Sequence, residues 1–442
     1  MNKFKVDVVV VGAGAGGICA AVGAARAGAK TLLIEAQDRI GGTGVYSPLG
    51  ILCGLGPTAG QNINCGFLPE LYPHLFPERA SDETITYYDA EDLFERYQAL
   101  VEGEERLEVW TSTRVDFCEV HDQAIHCLQT SGDVVARVDA AFFIDGTANG
   151  NLAAMAGAAF QVGREDDQQM QPATLTFTIS KIKPERLSAE GEPPLRAERW
   201  GDKHKITQAL GLNDAYRRLK VEGRTTNPKK GDMGVLYFPS PDASTLVFNH
   251  TRVTGIDPWD PESVSRGYES AEKQIFELWN EIKDHPALEE AELSIAPTLG
   301  IREGRRIVGD YMLTQKDCLE EARFDDMVAA CCYPIDIHNP EGGDTEMVYI
   351  PGSGYYHIPF RCLCAKGWCN LLLGSRCISG THEAHSSYRV MAPLTAIGQA
   401  CGVAAALACR KSYSDIHDVK AEEIRYILKE QNQFVEGNVS EV

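Results

Sequence analysis

The hydrophobic pattern at the start of the chain predicts a strand, a helix and a second strand. Residues 6–11 form a short apolar run with many β-branched side chains, which is typical of a strand buried on both faces. Residues 14–28 are rich in alanine and glycine, as in a helix that packs close to a sheet. Thr31–Ile34 is a second apolar run. This order predicts a βαβ unit with two parallel strands.

The pattern changes repeatedly after this first unit. Residues 41–79 are rich in glycine and proline without a clear period, which predicts irregular structure. Residues 89–101 predict a helix, with Asp89 as its N-cap and apolar side chains on one face. Residues 107–138 alternate β-prone runs with polar turns, which predicts an antiparallel meander, and residues 140–144 predict another buried strand.

The middle of the chain combines strands with a long helix. Residues 173–182 and 234–254 predict strands. Asp260 followed by Pro261 predicts the start of a helix, and apolar residues continue at helical spacing as far as Ile282. This region therefore predicts a second unit of mixed α+β structure.

One stretch near the C-terminus resembles a membrane span. Residues 391–409 contain no charged side chain, and these 19 residues are enough to cross a bilayer as a helix. The stretch also contains Pro393, Gly398, Gln399 and Gly402, and most of its bulk is alanine. This composition favours a tightly packed helix buried within the protein, so no membrane span is predicted.

Composition and charge narrow the range of partners. The chain has 442 residues, and its 63 acidic and 42 basic side chains give a net charge of −21, which argues against a nucleic-acid partner. The 14 cysteines lack the spacing of a small secreted domain, so we expect a reducing, cytoplasmic location. Cys362, Cys364, Cys369 and Cys377 match none of the usual iron–sulfur spacings, and no metal site is predicted.

A G-x-G-x-x-G sequence between the first strand and the first helix is the strongest chemical signal. In such a turn the first glycine permits the tight bend, the second lets the backbone approach a pyrophosphate, and the third lets helix and strand pack closely. Glu35, at the end of the second strand, is placed to bind a ribose, and it would repel a 2′-phosphate. The pattern therefore favours FAD or NAD over NADP. The turn consists of Gly12, Ala13, Gly14, Ala15, Gly16 and Gly17.

A second glycine pair distinguishes these two cofactors. Gly41 and Gly42 complete an E-x5-G-G sequence that begins at Glu35. This arrangement resembles the FAD-binding flavoprotein superfamily of glutathione reductase and fumarate reductase, in which the turn passes the diphosphate and the ribityl chain. No second G-x-G-x-x-G sequence follows, so the chain offers no candidate for a separate nicotinamide domain.

Four longer segments strengthen the resemblance. Residues 142–151 resemble the third flavoprotein motif, although Asp145 and Gly146 stand in a different order from the usual pattern. Residues 301–311, 333–338 and 370–393 are similar to the FAD-dependent oxidoreductase family related to fumarate reductase flavoproteins. Together with the two glycine turns, these segments cover most of the chain.

The resemblance implies an FAD cofactor and a set of residues that hold it. Because no histidine stands near Gly42, where fumarate-reductase relatives attach FAD covalently, we expect the FAD to be noncovalent. It also implies that the uncharged helix points its N-terminus at the pyrimidine end of the flavin, where the helix dipole stabilises the reduced anion. Besides the first glycine turn, the implied cofactor-binding residues are Glu35, Ala36, Arg39, Gly42, Thr43, Val115, Asp145, Gly146, Arg376, Arg389, Val390 and Met391.

These observations predict an α/β fold with two domains. A Rossmann-like FAD-binding domain, with a parallel sheet and an antiparallel meander, comprises residues 1–170 and 336–442, and a mixed α+β substrate-capping domain comprises residues 171–335. The predicted activity is the exchange of a hydride between flavin N5 and a small organic substrate, with an unidentified electron acceptor. The alternatives are a flavoprotein with structural or non-redox FAD, and an NAD-dependent dehydrogenase, which the second glycine pair disfavours.

Flavin chemistry needs a group that handles the accompanying proton, and histidines are the candidates. His338 and His385 lie in the motif segments, and His382 is a further candidate. Asp336 and His338 share one face of a predicted strand, so the carboxylate is placed to orient the imidazole. The alternative is a structural pair without a part in catalysis.

Arg302, Arg305 and Arg306 form a basic patch in an otherwise acidic chain. Fumarate-reductase-like enzymes hold carboxylates with arginines, which implies that the substrate is anionic and that Arg302 and Arg305 bind it. The alternative is a buried ion-pair network with Glu303 and Asp310.

Overall fold

Five short strands form a parallel sheet that carries the N-terminal unit. In the computed structural model, which describes residues 2–56, 63, 66–72, 85–196, 200–229, 234–352 and 354–436, all neighbouring strands of this sheet run parallel. The predicted α/β fold is confirmed, and the βαβ unit lies at the centre of the sheet. The strand order across the sheet is Leu371–Leu373, Phe142–Asp145, Val8–Val11, Thr31–Ile34 and Leu107–Trp110.

The uncharged stretch near the C-terminus is a helix, Met391–Arg410, that packs against the first helix, Ala15–Arg26. The two backbones touch, because a Cβ atom on Gly398 would lie 1.9 Å from the carbonyl oxygen of Gly16. By length and composition Met391–Arg410 is able to cross a membrane, but 94% of its most apolar window is buried inside the protein. The alanines and glycines therefore serve close packing between helices.

The predicted meander forms a second sheet of four strands, in the order Asn2–Lys5, Ala136–Asp139, Ala124–Gly132 and Thr113–His121. Its last three strands pair antiparallel, whereas Asn2–Lys5 joins Ala136–Asp139 in parallel. Leu107–Trp110 belongs to the parallel sheet instead of the meander. Alternation along the chain indicates a strand but does not say which neighbour it pairs with.

The middle of the chain, which we call the cap, contains a four-stranded antiparallel sheet covered by helices. Its strands follow the order Tyr237–Pro239, Leu246–Phe248, Phe177–Ser180 and Glu292–Ile295. The longest cap helix, Pro261–Ile282, begins where predicted, and the Asp260 side chain accepts hydrogen bonds from the backbone N–H groups of Glu262 and Ser263. The other cap helices are Trp200–Ala209 and Leu212–Val221.

The hydrophobic core of the cap ends earlier than the predicted domain boundary. Its buried residues lie between Ala173 and Leu299. Leu313, Val328 and Ile335, which the sequence placed in the cap, contribute to the larger core of the cofactor-binding region. An apolar run indicates burial, but it does not reveal which of two cores receives it.

The remaining elements connect and flank these layers. The helices are Thr43–Tyr46, Leu68–Leu71, Ala90–Glu102, Asn151–Ala156, Gln315–Leu319, His382–Tyr388 and Ala421–Glu430. The strands are Ile51–Cys53, Ile85–Tyr87, Phe160–Gln161, Arg306–Ile307, Met327–Cys331, Ile335–His338, Thr345–Val348 and Tyr356–Pro359. Short 3-10 helices lie at Pro184–Arg186, Pro286–Leu288, Phe360–Cys362 and Ile416–Asp418.

Candidate functional site

The first glycine turn is held together by backbone contacts that leave no room for side chains. Gly12 has φ +95°, and a Cβ atom there would lie 2.8 Å from the carbonyl carbon of Gly146. A Cβ atom on Gly17 would lie 1.8 Å from the carbonyl oxygen of Gly12. The third motif therefore packs directly on the first, and these positions require glycine.

Gly14, in contrast, faces open space. A Cβ atom at this position would meet nothing described within 4 Å, and the helix Ala15–Arg26 begins directly after it. Among the described residues, no side chain caps this helix, and its first turn contains no acidic residue. The N–H groups and the positive end of the dipole are thus available to an anion, which fits a pyrophosphate.

The second glycine turn lies against the first, and Glu35 lies beside it. Gly42 has φ +54°, and a Cβ atom there would be 2.9 Å from the Cα atom of Gly14. Glu35 Oε2 accepts a hydrogen bond from the backbone N–H of Ala13 at 2.6 Å, and Oε1 accepts one from Gln37 at 2.9 Å. The carboxylate therefore sits at the edge of the turn, where an adenosine ribose with a free 2′-OH fits.

Two predicted contacts lie on the same side as Glu35. The backbone N–H of Thr113 donates to the carbonyl oxygen of Glu35 at 2.9 Å, which brings the strand Thr113–His121 beside the turn. Val115 is the third residue of this strand and is half-buried, and Ala36 is exposed next to Glu35. Both positions therefore border the proposed adenosine end.

Three predicted cofactor-binding side chains are engaged with the protein itself. Arg39 pairs with Glu91 at 2.6 Å. Arg376 donates to the carbonyl oxygens of Ala148 and Ile301, at 2.9 and 2.6 Å. These two guanidinium groups order the walls of the site.

Asp145 is the third of these side chains. Its carboxylate is buried and accepts hydrogen bonds from the backbone N–H groups of Thr147 and Ala153, at 2.9 and 2.8 Å. Burial raises the pKa of Asp145 to about 6, despite these hydrogen bonds. The carboxylate thus fixes the turn that carries Gly146 against Gly12.

A chain of close contacts continues from the glycine turns to the start of the uncharged helix. A Cβ atom on Gly44, next to the exposed Thr43, would lie 3.1 Å from the Met391 sulfur atom. Val390 is the N-cap residue of Met391–Arg410, and its first turn contains no acidic residue. The contacts therefore follow an elongated path from Glu35 to a second helix N-terminus, which no side chain caps in the described part of the chain. The positive end of its dipole suits an electron-rich part of a cofactor.

Beyond this end lies a group that we call the basic cluster: Arg252, Arg302, Arg389, Asp336 and His338. Arg252 Nη2 lies 2.9 Å from His338 Nδ1, and Arg389 Nη2 lies 3.5 Å from Asp336 Oδ2. His338 Nε2 and Asp336 Oδ1 are 3.6 Å apart, longer than a hydrogen bond. Arg252 comes from the cap, and Arg389 directly precedes Val390, so the cluster lies between the two cores.

Positive charge dominates the basic cluster. Burial, with Arg389 and Arg252 nearby, lowers the pKa of Arg302 to about 9. Burial and Arg302 lower the pKa of His338 to about 3, so this imidazole is neutral at physiological pH. Burial alone would raise the pKa of Asp336, but His338 and the arginines hold it below its ordinary value. Asp336, with Asp344 beside Arg252, thus faces three guanidinium groups, and this excess of positive charge favours an anionic ligand.

His382 and Glu303 form a second polar pair. His382 Nδ1 lies 2.9 Å from Glu303 Oε1, and His382 Nε2 is buried without a hydrogen-bond partner among the described residues. Arg306 also binds Glu303, at 2.5 Å. Arg306 therefore forms the buried ion pair with Glu303 that was the alternative to substrate binding. Asp310 does not take part in it, because its carboxylate contacts His417.

The other two predicted catalytic residues have different surroundings. His385 is fully buried, neither ring nitrogen has a hydrogen-bond partner in the described part of the chain, and burial and the nearby arginines hold its pKa far below the ordinary value. Arg305 stacks over the Trp259 ring at 4.0 Å and lies 3.2 Å from Asn151 Oδ1. Its contacts are thus with Trp259 of the cap and Asn151 of the cofactor-binding region, and not with the basic cluster.

Sequence reasoning missed Arg252 and undervalued His382. Arg252 lies in the segment between two cap elements, far along the chain from Asp336 and His338, and no motif surrounds it. One weak signal was present, since Arg252 follows an apolar strand and carries a charge where burial was expected.

Two solved structures are similar to this chain at low sequence identity. Among solved structures, a geranylgeranyl bacteriochlorophyll reductase-like protein from Thermoplasma acidophilum is 12% identical with a TM-score of 0.45, covering 97% of this chain and 84% of that chain. A quinol-fumarate reductase is 13% identical with a TM-score of 0.44, covering 99% of this chain and 78% of that chain.

One curated relative is the hydroxyneurosporene desaturase of Rhodobacter capsulatus, 32% identical over 107 residues, which are 20% of this chain and 22% of the relative. The match thus spans about a fifth of that relative's length. The sequence profile of FAD dependent oxidoreductases matches residues 7–428, nearly the whole chain. The chain therefore belongs to the FAD dependent oxidoreductase family, and FAD is its cofactor.

Proposed function

We propose that the protein exchanges a hydride between FAD and a small organic anion that binds in the basic cluster. The observation that carries this proposal is the set of three arginines around Asp336, of which Arg252 and Arg302 are buried and Arg389 is half-buried, with Asp344 beside Arg252. FAD, when bound, supplies a two-electron acceptor or donor at N5. Side chains of this chain bind the substrate and handle its proton, and a separate electron acceptor or donor restores the flavin.

The arginines are suited to bind and orient a carboxylate. Arg302 donates to the carbonyl oxygen of Pro172 at 2.6 Å and to Asn249 Oδ1 at 3.0 Å, so its guanidinium is fixed in place. Arg389 Nε is buried and has no hydrogen-bond partner among the described residues. A bound carboxylate would satisfy this donor and offset the excess positive charge.

His382 is suited to hold or move the proton that accompanies the hydride. Glu303 binds Nδ1 and fixes the orientation of the ring, which leaves Nε2 as the exchanging atom. His382 lines a cleft of about 320 Å³ that also includes Ile337 and Asn339, both next to His338. The neutral His338 would then orient the anion beside Arg252 without exchanging a proton itself.

The test is anaerobic bleaching of the flavin by a panel of small carboxylic acids, each with its methyl ester or amide. We expect acids to bleach the flavin and the neutral partners to do so at least about 10-fold more slowly, because each lost charge-assisted bond costs about 1.5–3 kcal/mol. Equal rates for acids and esters would contradict the anionic substrate.

Two variants separate specific binding from general charge. Arg302→Gln should reduce the bleaching rate by the best acid about 100-fold while the protein stays yellow. Arg217→Gln makes the same change on the cap surface, where Arg217 pairs with the exposed Asp214, and should leave the rate unchanged. An equal loss in both variants would show that overall charge, and not the cluster, attracts the substrate.

A further inference from the structure

A separate cluster of possible metal ligands lies outside the flavin site. Asp310, Cys364 and His417 line a cavity of about 540 Å³. One side-chain donor atom from each residue lies within 4.8 Å of the others. None of these residues contacts the glycine turns or the basic cluster in the interactions described above.

The backbone holds the three residues in fixed positions. The N–H of Asp310 donates to the carbonyl oxygen of Cys364 at 3.3 Å, and Gly309 pairs with Ala365 in a β-bridge. His417 belongs to the short helix Ile416–Asp418, and the N–H of Ile416 donates to the carbonyl oxygen of Cys369 at 2.7 Å. The donors therefore converge through main-chain contacts and not through mobile side chains alone.

A fourth residue orients the imidazole. Asp415 Oδ1 lies 2.5 Å from His417 Nδ1 and accepts a hydrogen bond from the His417 N–H at 3.0 Å. His417 Nε2 consequently points at Asp310 Oδ2, at 2.6 Å. A carboxylate behind a histidine ligand is the usual outer shell of a protein zinc site, because it fixes the tautomer and the ring orientation.

We propose that Asp310, Cys364 and His417 bind one Zn²⁺ ion, with water from the cavity as the fourth ligand. Zinc takes sulfur, nitrogen and oxygen donors in a tetrahedron, which holds ligand atoms about 3.5 Å apart. This spacing lies between the 2.6 Å contact of Asp310 with His417 and the 4.8 Å limit of the cluster. On binding, the Cys364 thiol proton and the proton between His417 and Asp310 pass to solvent.

The experiment uses the FAD-loaded protein after chelator treatment, titrated with Co²⁺ and then Zn²⁺. Tetrahedral Co²⁺ absorbs at longer wavelengths than oxidised flavin, so its bands are visible in the yellow protein. We expect one Co²⁺ per chain, displaced by one Zn²⁺, and a metal content of one by equilibrium dialysis. Absence of these bands, or dialysis at the level of buffer, would show that the three residues form an ion-pair network without a metal.

Variants assign the ligands. His417→Ala and Cys364→Ser should abolish the cobalt bands while FAD remains bound, and Asp415→Asn should weaken binding about 10–100-fold. Cys362→Ala, at the neighbouring buried cysteine, and Asp326→Asn, in the wall of the same cavity, should bind metal as the parent does. Unchanged binding in His417→Ala and Cys364→Ser would overturn the proposal.

Discussion

The glycine turns at residues 12–17 and 41–42 and the basic cluster lie at the two ends of one elongated site. In the turns, backbone touches backbone, and most neighbours lie close together in the sequence or at the ends of adjacent strands, although Gly16 also meets Gly374 and Gly398 near the other end of the chain. In the basic cluster, side chains from the cap and from the cofactor-binding region meet, and Arg252 and Arg389 are far apart in the chain. Added side-chain volume therefore damages a turn of the first kind. Loss of a charged side chain damages a cluster of the second kind.

The strongest test of this difference is Gly14→Val. The substituent would enter the open space in front of the first helix without clashing with the protein, so the fold should persist and the pyrophosphate path should be blocked. We expect FAD affinity to fall more than about 100-fold, which is about 2.7 kcal/mol. Flavin absorbance after gel filtration, with circular dichroism for the fold, is the measurement.

A graded series provides the control for Gly14→Val. Gly14→Ala should weaken FAD binding less, and Gly103→Ala, at the end of the helix Ala90–Glu102, should leave it unchanged. If Gly14→Val retained normal flavin absorbance, the first glycine turn would not face the pyrophosphate.

Loss of the proton-handling group should have an effect of comparable size, on the reaction rate instead of on FAD affinity. His382→Gln removes the Nε2 donor and acceptor that Glu303 orients, and we expect substrate-driven flavin reduction to slow about 10²–10⁴-fold. FAD should remain bound, since His382 is not part of the glycine turns. Stopped-flow absorbance under anaerobic conditions measures the rate.

The control for His382→Gln is the same replacement at an exposed histidine. His204→Gln should not change the rate, because this side chain is exposed on the cap. A normal rate and pH profile in His382→Gln would leave His382 as a structural partner of Glu303.

Acid should lower the free energy of unfolding through the basic cluster more than through the glycine turns. The pKa of His338 is lowered from 6.5 to about 3 in the folded protein, so its contribution to stability is complete above pH 6.5 and is lost as the pH falls toward 3. At pH 5.5 the loss is about 1 kcal/mol. His338→Gln should therefore flatten the decline in stability below pH 6.5 and change nothing in its pH dependence above it.

Urea unfolding of the FAD-loaded protein between pH 4.5 and 8 follows this change, with the exposed His126→Gln as the control. The same decline in the parent and in His338→Gln would mean that other groups, such as the buried His250 with its pKa near 3, dominate the acid response.

The smallest effect is expected at Arg39. Its guanidinium pairs with Glu91, whose side chain is 70% exposed, and an exposed pair contributes about 0–1 kcal/mol. Arg39→Gln should change FAD affinity less than about 3-fold, as measured by fluorescence titration. A larger loss would mean that Arg39 leaves Glu91 to bind the cofactor, as the resemblance implied.

Much of the fold was predictable because its signals are local. Asp89 and Asp260 start their helices through side-chain caps, and residues 12–17 lie between a buried strand and an alanine-rich helix. The FAD family followed from two glycine turns at a fixed distance from Glu35. These features depend on neighbours within a few turns of chain, which a sequence displays directly.

The remainder depends on contacts between distant segments. The apolar residues between Ile307 and Ile335 would suit either core, and the sequence does not say which one they join. Arg305 and Arg302 are separated by two residues, yet one stacks on Trp259 and the other lies buried beside Arg389. Likewise, the convergence of Asp310, Cys364 and His417 requires knowledge of strand pairing, so the cysteine spacing alone predicted no metal.

The packing of Ala15–Arg26 against Met391–Arg410 sets an order of events during synthesis. The carbonyl of Gly16 meets Gly398, roughly 380 residues later, and a ribosome adding about 5–20 residues per second takes about 20–80 s to cover that distance. During this interval the first helix has no partner for its glycine face. A nascent chain therefore completes the packing behind its phosphate-binding turn only after the helix Met391–Arg410 has emerged, however early the turn itself was made.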